Sequence, residues 1–352
     1  MNPIQFRKNV LRGSQHDPRN SLKLTPYDTE VRYDPLTGRS SRICHFSSST
    51  RLPKNFEQLV ESTQKHCPFC PERILRETPR FDESLLPEGR LRLGEAVLFP
   101  NLNPYDELSA VIVPCRAHYF PANELPVKIV VDGIRLARDF LALLECKREG
   151  VHYGSFYWNY LPPSGGSQIH PHMHVLYSTA APNLLRERLA AEKQYFKKYH
   201  RTYQQDLCMS EEEQGERWVG STGTIHWHTP FAPTGLLGDL MATFPKKKRL
   251  TELNDEDITE FAHALRAAMQ AFSNTNLWSF NLAFYPQATG IKTSEHWLAA
   301  HLVPRLYIAP GLHSADVSFM QLLLDEKFAT VYPEQVAQQI KNVFKEQGLL
   351  NS

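Results

Sequence analysis

Short apolar runs that end at prolines alternate along this chain with two long stretches of helical periodicity. Residues 95–99 and 109–113 are compact apolar runs closing at Pro100 and Pro114, and they predict two strands joined by the polar loop 100–105. Beyond Pro126 and Asp132 the apolar positions Ala137, Phe140, Leu141 and Leu144 recur at helical spacing, and Gly150 stands past the end. Residues 153–160 predict a strand, Pro162-Pro163-Ser164-Gly165-Gly166-Ser167 a loop, and residues 172–177 another strand. A weaker version of this order returns later. Residues 233–243 approach a strand, and Asn254 caps a helix over 255–272 whose first turn holds Asp255 and Asp257. Strands at 279–285 and 296–303 follow, around a loop with Pro286 and Gly290.

The repeated order of helix, strand, loop and histidine predicts an internal duplication. Each half is expected to supply a mostly antiparallel sheet and a long helix, an α+β fold. The expected division is 1–210 and 211–352, joined through the charged stretch 186–216. Residues 1–60 are polar and turn-rich, with a turn at Tyr33-Asp34-Pro35-Leu36-Thr37-Gly38 before a short strand around 42–46. A Pro/Arg/Glu-rich connector runs from Cys67 to about Gly89.

Composition narrows the function classes. Lys plus Arg number 39 against 38 Asp plus Glu, and the net charge of +1 gives no long-range pull toward nucleic acid or an anionic membrane. Lys246-Lys247-Lys248-Arg249 reads as solvated surface. No apolar run approaches the roughly 18–20 residues of a membrane helix, and Pro3, Arg7, Lys8 and Arg12 interrupt any signal-like start, so the protein is expected in the cytoplasm. Six cysteines are too few for a disulfide scaffold; Cys44, Cys115, Cys146 and Cys208 are scattered, whereas Cys67 and Cys70 form a pair.

The two-residue spacing of Cys67-Pro68-Phe69-Cys70 lets both sulfurs reach one ion. Zinc takes four such ligands, so two more must arrive from elsewhere, and His118 and His170 are the natural supply. A redox dithiol or two unrelated buried thiols are the alternatives. In His170-Pro171-His172-Met173-His174 the histidines alternate, which on a strand places all three rings on one face. Gly165, Gly166 and Ser167 just before them can bring backbone N–H groups to phosphate oxygens, and a neutral imidazole facing such a loop can attack phosphorus. His172 would be that nucleophile, its tautomer fixed by a neighbouring backbone carbonyl. Metal binding by the histidines, or a structural role, is the other reading of the cluster.

The ordered matches run over nearly the whole chain: Arg32-Tyr33-Asp34-Pro35-Leu36-Thr37-Gly38, Cys67-Pro68-Phe69-Cys70-Pro71, Asn101, His118, and Asn159 eleven residues before His170-Pro171-His172. By them the chain resembles the galactose-1-phosphate uridylyltransferase branch of the histidine-triad superfamily. The resemblance implies a duplicated histidine-triad fold, usually dimeric. It implies structural zinc on Cys67, Cys70, His118 and His170, and a covalent nucleotidyl intermediate on His172. It puts Asn101 and Asn159 near the nucleotide, Ser167 with Gly166 at phosphate, and Arg32 near phosphates or at a subunit interface.

Three departures shape the expected activity. Where the family has glutamine two residues after the nucleophile, this chain has His174, the pattern of the superfamily's nucleotide hydrolases. The family's second metal site, a glutamate and three histidines, is matched at His301, while Arg188, Tyr285 and Ala299 stand at the other positions, with Glu187 adjacent; that site is expected to be absent. His226, His228 and His296 have no assigned role. Ser318 and Leu324 replace the Lys and Glu of the family's hexose contacts, so galactose-1-phosphate is not the expected acceptor. The expected function is a nucleotidyltransferase resembling hexose-1-phosphate uridylyltransferase, moving a nucleoside monophosphate from a nucleoside diphosphate sugar to a phosphorylated acceptor. A nucleoside diphosphate or dinucleoside polyphosphate hydrolase or phosphorylase is the first alternative, and a non-enzymatic nucleotide-binding protein the second.

Overall fold

In the computed structural model, residues 3–44, 55–293, 295–308 and 314–351 are described. The strands β1 (Arg7–Asp17), β2 (Lys23–Tyr33) and β3 (Ser40–Ile43) come first, then α1 (Phe56–Gln64) and α2 (Ile74–Glu77). Next are β4 (Leu91–Leu93), β5 (Ala96–Pro100), β6 (Leu108–Val113), α3 (Val127–Lys147), β7 (Tyr153–Tyr160) and β8 (Met173–Ser178). Helices α4 (Asn183–Tyr199) and α5 (Tyr203–Gln214) lead to β9 (Trp218–Thr222), β10 (Ile225–His228), β11 (Leu240–Phe244), α6 (Asp255–Ser273), β12 (Ser279–Tyr285) and β13 (Leu298–Arg305). The last elements are α7 (Phe319–Leu323), β14 (Lys327–Ala329) and α8 (Pro333–Glu346).

Ten strands form one antiparallel sheet in the order β4-β5-β6-β8-β7-β12-β13-β11-β10-β9. Read outward from its centre, β7-β8-β6-β5-β4 on one side is matched by β12-β13-β11-β10-β9 on the other. The long helices α3 and α6 occupy equivalent places, each between the third and fourth strand of its set. The sets meet where Asn281 of β12 lies opposite Asn159 of β7. A four-stranded sheet, β1-β2-β3-β14, adds to this α+β architecture.

Local chemistry explains the main elements. Asn254 and Asp257 form a reciprocal capping box that starts α6, and Asp255, Glu256 and Asp257 fill its positive first turn. In α3 the buried positions include Ile134, Ala137, Phe140, Leu141 and Leu144, the stripe visible in the sequence. Gly133 of α3 lets Met173 pack closely: a Cβ there would lie 2.3 Å from Met173 Sδ. Met173 and Val175 of β8 are therefore turned into the helix-covered core, and the alternate positions His172 and His174 share the opposite face.

The structure moves several boundaries. The strand expected at 172–177 runs Met173–Ser178, so His172 stands just before it. The expected strands at 233–243 and 296–303 are Leu240–Phe244 and Leu298–Arg305. Ser40–Ile43 takes the place of the strand around 42–46, and Phe46 lies outside the described residues. The eleven-residue strands β1 and β2 occupy a region read as turn-rich; both faces of β1 are exposed over most of its length, which removes the alternation that marks a half-buried strand. In the basic run, Lys247 pairs with Asp257 and Arg249 with Glu145 and Glu252. Among the described residues no helix is long and apolar enough to cross a membrane.

Candidate functional site

The cysteine turn meets two histidines from distant elements in one buried place. Cys67, Cys70, His118 and His170 each offer one donor atom, and all four atoms lie within 4.8 Å of one another. Cys70 Sγ is 3.6 Å from His118 Nδ1 and 3.7 Å from His170 Nδ1, and Cys67 Sγ is 3.8 Å from His170 Nδ1. Sulfur and nitrogen held by one tetrahedral ion at about 2.3 and 2.0–2.1 Å are roughly 3.5 Å apart. The spacing therefore fits a single ion.

The imidazole tautomers fit as well. His170 Nε2–H donates to the Cys115 carbonyl at 3.0 Å, which leaves Nδ1 with the lone pair. The Thr63 hydroxyl donates to the backbone carbonyls of Leu59 and Val60, so it accepts from His118 Nε2–H at 3.1 Å and again leaves Nδ1 free. Such outer hydrogen bonds are what orient metal-ligating histidines. Burial pushes His170 down to about 4 and lowers His118, keeping both rings neutral. Burial also pushes the Cys70 thiol up to about 12, with Cys67 beside it acting in the same direction. That works against a redox dithiol, which needs an easily formed thiolate, whereas a bound cation would draw the protons off. The group is capable of holding a metal ion.

His170 links this cluster to the next histidine through its backbone. His172 Nδ1–H donates to the His170 carbonyl at 2.9 Å, so Nε2 carries the lone pair. His172 is 4% exposed, and burial lowers its pKa. Phe69, inside the cysteine turn, packs against it with ring centroids 5.4 Å apart. His174 stands edge-on to His172 at 5.2 Å, and burial pushes it down to about 4, so the second ring is also neutral near pH 7.

The glycine loop enters this region under tension. Leu161, buried at the end of β7, has a φ of +69°, and Gly165 follows with +85°. Gly166 folds back so tightly that a Cβ would lie 3.1 Å from the Leu161 carbonyl. Ser167 is exposed at the lip. Asn159 Oδ1 accepts from Asn281 Nδ2 at 2.6 Å; the same amide donates to the Ser164 carbonyl at 2.9 Å, and Arg305 donates to Asn281 Oδ1 at 2.6 Å. Asn101 follows β5 in a turn where its Oδ1 accepts from the Asn103 N–H at 3.0 Å.

The structure brings Cys67, Cys70, His118, His170, His172 and His174 together, with Gly166 and Ser167 on the loop that leads into them. Arg32 lies in a different cluster. Its guanidinium pairs with Glu30 and Glu334 and stacks on Phe231 at 4.8 Å. Sequence reasoning missed Phe69 and Asn281. The first lay inside a motif valued for its sulfurs; the second becomes adjacent to the loop only through β7–β12 pairing.

No family model matches the chain. It is 30% identical to an uncharacterized protein of Archaeoglobus fulgidus over 319 residues, 90% of this chain and 93% of that one. A galactose-1-phosphate uridylyltransferase of Haemophilus influenzae is 27% identical over 185 residues, about half of each chain. Among solved structures, an ADP-glucose phosphorylase of Arabidopsis thaliana with bound ADP-glucose superposes with a TM-score of 0.67 at 16% identity, covering 89% of this chain and 98% of that one. These likenesses establish a shared fold.

Proposed function

The chain belongs to one family with the uncharacterized Archaeoglobus fulgidus protein, and from that premise and the site's geometry we propose that it is a nucleotidyltransferase working through a nucleotidyl-histidine on His172. The observation that carries the proposal is the Nδ1–H bond from His172 to the His170 carbonyl, which leaves Nε2 as the free nucleophile. The repeated strand order supports two histidine-triad units, divided as 1–210 and 211–352. The first carries the chemistry, and a dimer is the proposed assembly.

In the proposed reaction His172 Nε2 attacks the α-phosphorus of a nucleoside diphosphate compound. The N–P bond forms, the P–O bond to the distal phosphorylated group breaks, and that group leaves with the electron pair. The positive charge on the substituted imidazole is held by the bond from Nδ1–H to the His170 carbonyl. An oxygen of a phosphorylated acceptor then attacks phosphorus and releases neutral His172. Backbone N–H groups around Gly166 and Ser167 stabilise the phosphoryl oxygens. Asn159, held by Asn281, and Asn101 position the nucleotide. Zinc is the proposed ion of the Cys67, Cys70, His118 and His170 group; it would supply rigidity, tying the turn that carries Phe69 to the residue whose carbonyl aims His172.

A second reading has a specific support. His174 presents a second neutral imidazole beside His172, suited to admit water or inorganic phosphate as the acceptor, which makes the protein a nucleotide hydrolase or phosphorylase. The test is turnover of UDP-glucose, ADP-glucose and a dinucleoside tetraphosphate with phosphate, a hexose phosphate or water as acceptor. Transfer to the hexose phosphate faster than to water or inorganic phosphate supports the first reading, and the reverse supports the second. Equal turnover in His172→Asn protein rejects both.

A further inference from the structure

A cavity of about 390 Å³ lies between the four-stranded sheet and the β9–β13 part of the large sheet, walled also by α4 and α5. Arg188, Tyr285, Ala299 and His301, the positions at which the family resemblance implies a second metal, all line it. They do not suit a cation. Arg188 brings a permanent positive charge, stacked 5.7 Å over the Tyr285 ring, and Ala299 brings no donor. Both nitrogens of His301 are engaged: Nε2–H donates to Asp239 Oδ2 at 2.7 Å, and Nδ1 accepts from the Tyr285 hydroxyl at 3.1 Å.

The same residues suit an anion. The carboxylates around Arg188 form no ion pair with it. Glu187 pairs with Arg39 and Glu192 with His296 and Gln204, while Asp34, which lines the same cavity and adds negative charge near Arg188, holds its Oδ1 to the Leu36 and Thr37 amides. No ion pair to Arg188 forms among the described residues, so its planar fork of donors is available in a half-buried position. Gln204, 3% exposed, donates through Nε2 to Glu192 while its Oε1 is buried without a partner among the described residues. Tyr285 spends its proton on His301 and presents oxygen lone pairs. One charged fork beside the unsatisfied Gln204 oxygen and the Tyr285 lone pairs calls for a ligand with an oxyanion at one end and hydroxyl groups at the other.

We infer that this cavity is a binding site for a small hydroxylated oxyanion, a carboxylate or a phosphate monoester, held by Arg188, Gln204 and Tyr285. It stands apart from the His172 chemistry, so it is tested separately by isothermal titration with glycerate and with glycerol 3-phosphate, the pair that separates the two oxyanions. His172→Asn protein is expected to bind one equivalent of at least one probe. Adding Arg188→Gln to it should weaken that binding at least about tenfold, the scale of losing a charge-assisted fork. Gln204→Leu and Tyr285→Phe, tested in folded protein judged by circular dichroism, should weaken it too and carry the test if the Arg188 variant does not fold. Binding of neither probe up to roughly 10 mM, or binding untouched by these substitutions, overturns the inference. A second equivalent of bound metal that is lost in His301→Ala overturns it as well.

Discussion

Replacing Gly133 by alanine tests how the core aims the histidines. A Cβ at this helix position would stand 2.3 Å from Met173 Sδ and 2.8 Å from its Cε. Ordinary contact needs about 3.5–4.0 Å, so the sulfur must retreat by more than about 1 Å, and because Met173 is 0% exposed its flexible end has to repack inside the core. Overpacking of this kind costs about 1–3 kcal/mol, against about 1 kcal/mol gained from alanine's helix propensity. The net expectation is a loss near 1 kcal/mol, or about 2 °C in Tm. Because Met173 neighbours His172, a displacement near 1 Å would also lower turnover by up to about a hundredfold. Urea unfolding of a double-mutant cycle decides the matter. In a Met173→Ala background the obstruction is gone, and Gly133→Ala should then stabilise. Equal stabilisation by Gly133→Ala in both backgrounds would refute the reasoning.

Two further outcomes follow from the site and the cavity. Cys67→Ser should reduce bound metal from about one ion per chain to near none and lower the melting temperature together; full metal content by mass spectrometry would mean the ligand is misassigned. Burial pushes His228 down to about 4. The unfolded chain takes up that proton first as the pH falls below about 6.5, so the contribution to stability is whole above that pH and disappears progressively toward 4, by up to about 3 kcal/mol. His228→Gln should flatten this acid limb in denaturant titrations, and an unchanged limb would contradict the burial argument.

The legible parts of the chain were those where one physical signal dominates. α3 and α6 announce themselves by apolar spacing and, for α6, by the cap at Asn254. The cysteine spacing, with its need for two further ligands, pointed to Cys67, Cys70, His118 and His170, which the fold gathers into one group. β1 was hidden because most of its side chains meet solvent on both faces, β2 because its burial shows no regular alternation, and β9 and β10 because each is short. Asn281 gains its place beside Asn159 from strand pairing between residues more than a hundred positions apart, and Arg305 reaches Asn281 from the next strand; no local window contains the first relation. Arg32 belonged to a motif, and the structure gives it Glu30 and Glu334 as partners.

The most direct measurement is the mass of the intact protein after brief mixing with UDP-glucose, ADP-glucose, GDP-mannose and dinucleoside polyphosphates in turn, quenched within the first turnover. An added mass of one nucleoside monophosphate is expected with at least one donor, mapped to His172 and absent in His172→Asn protein. Product formation that persists in His172→Asn protein, an adduct on another residue, or tight binding across the panel with neither adduct nor product would contradict it.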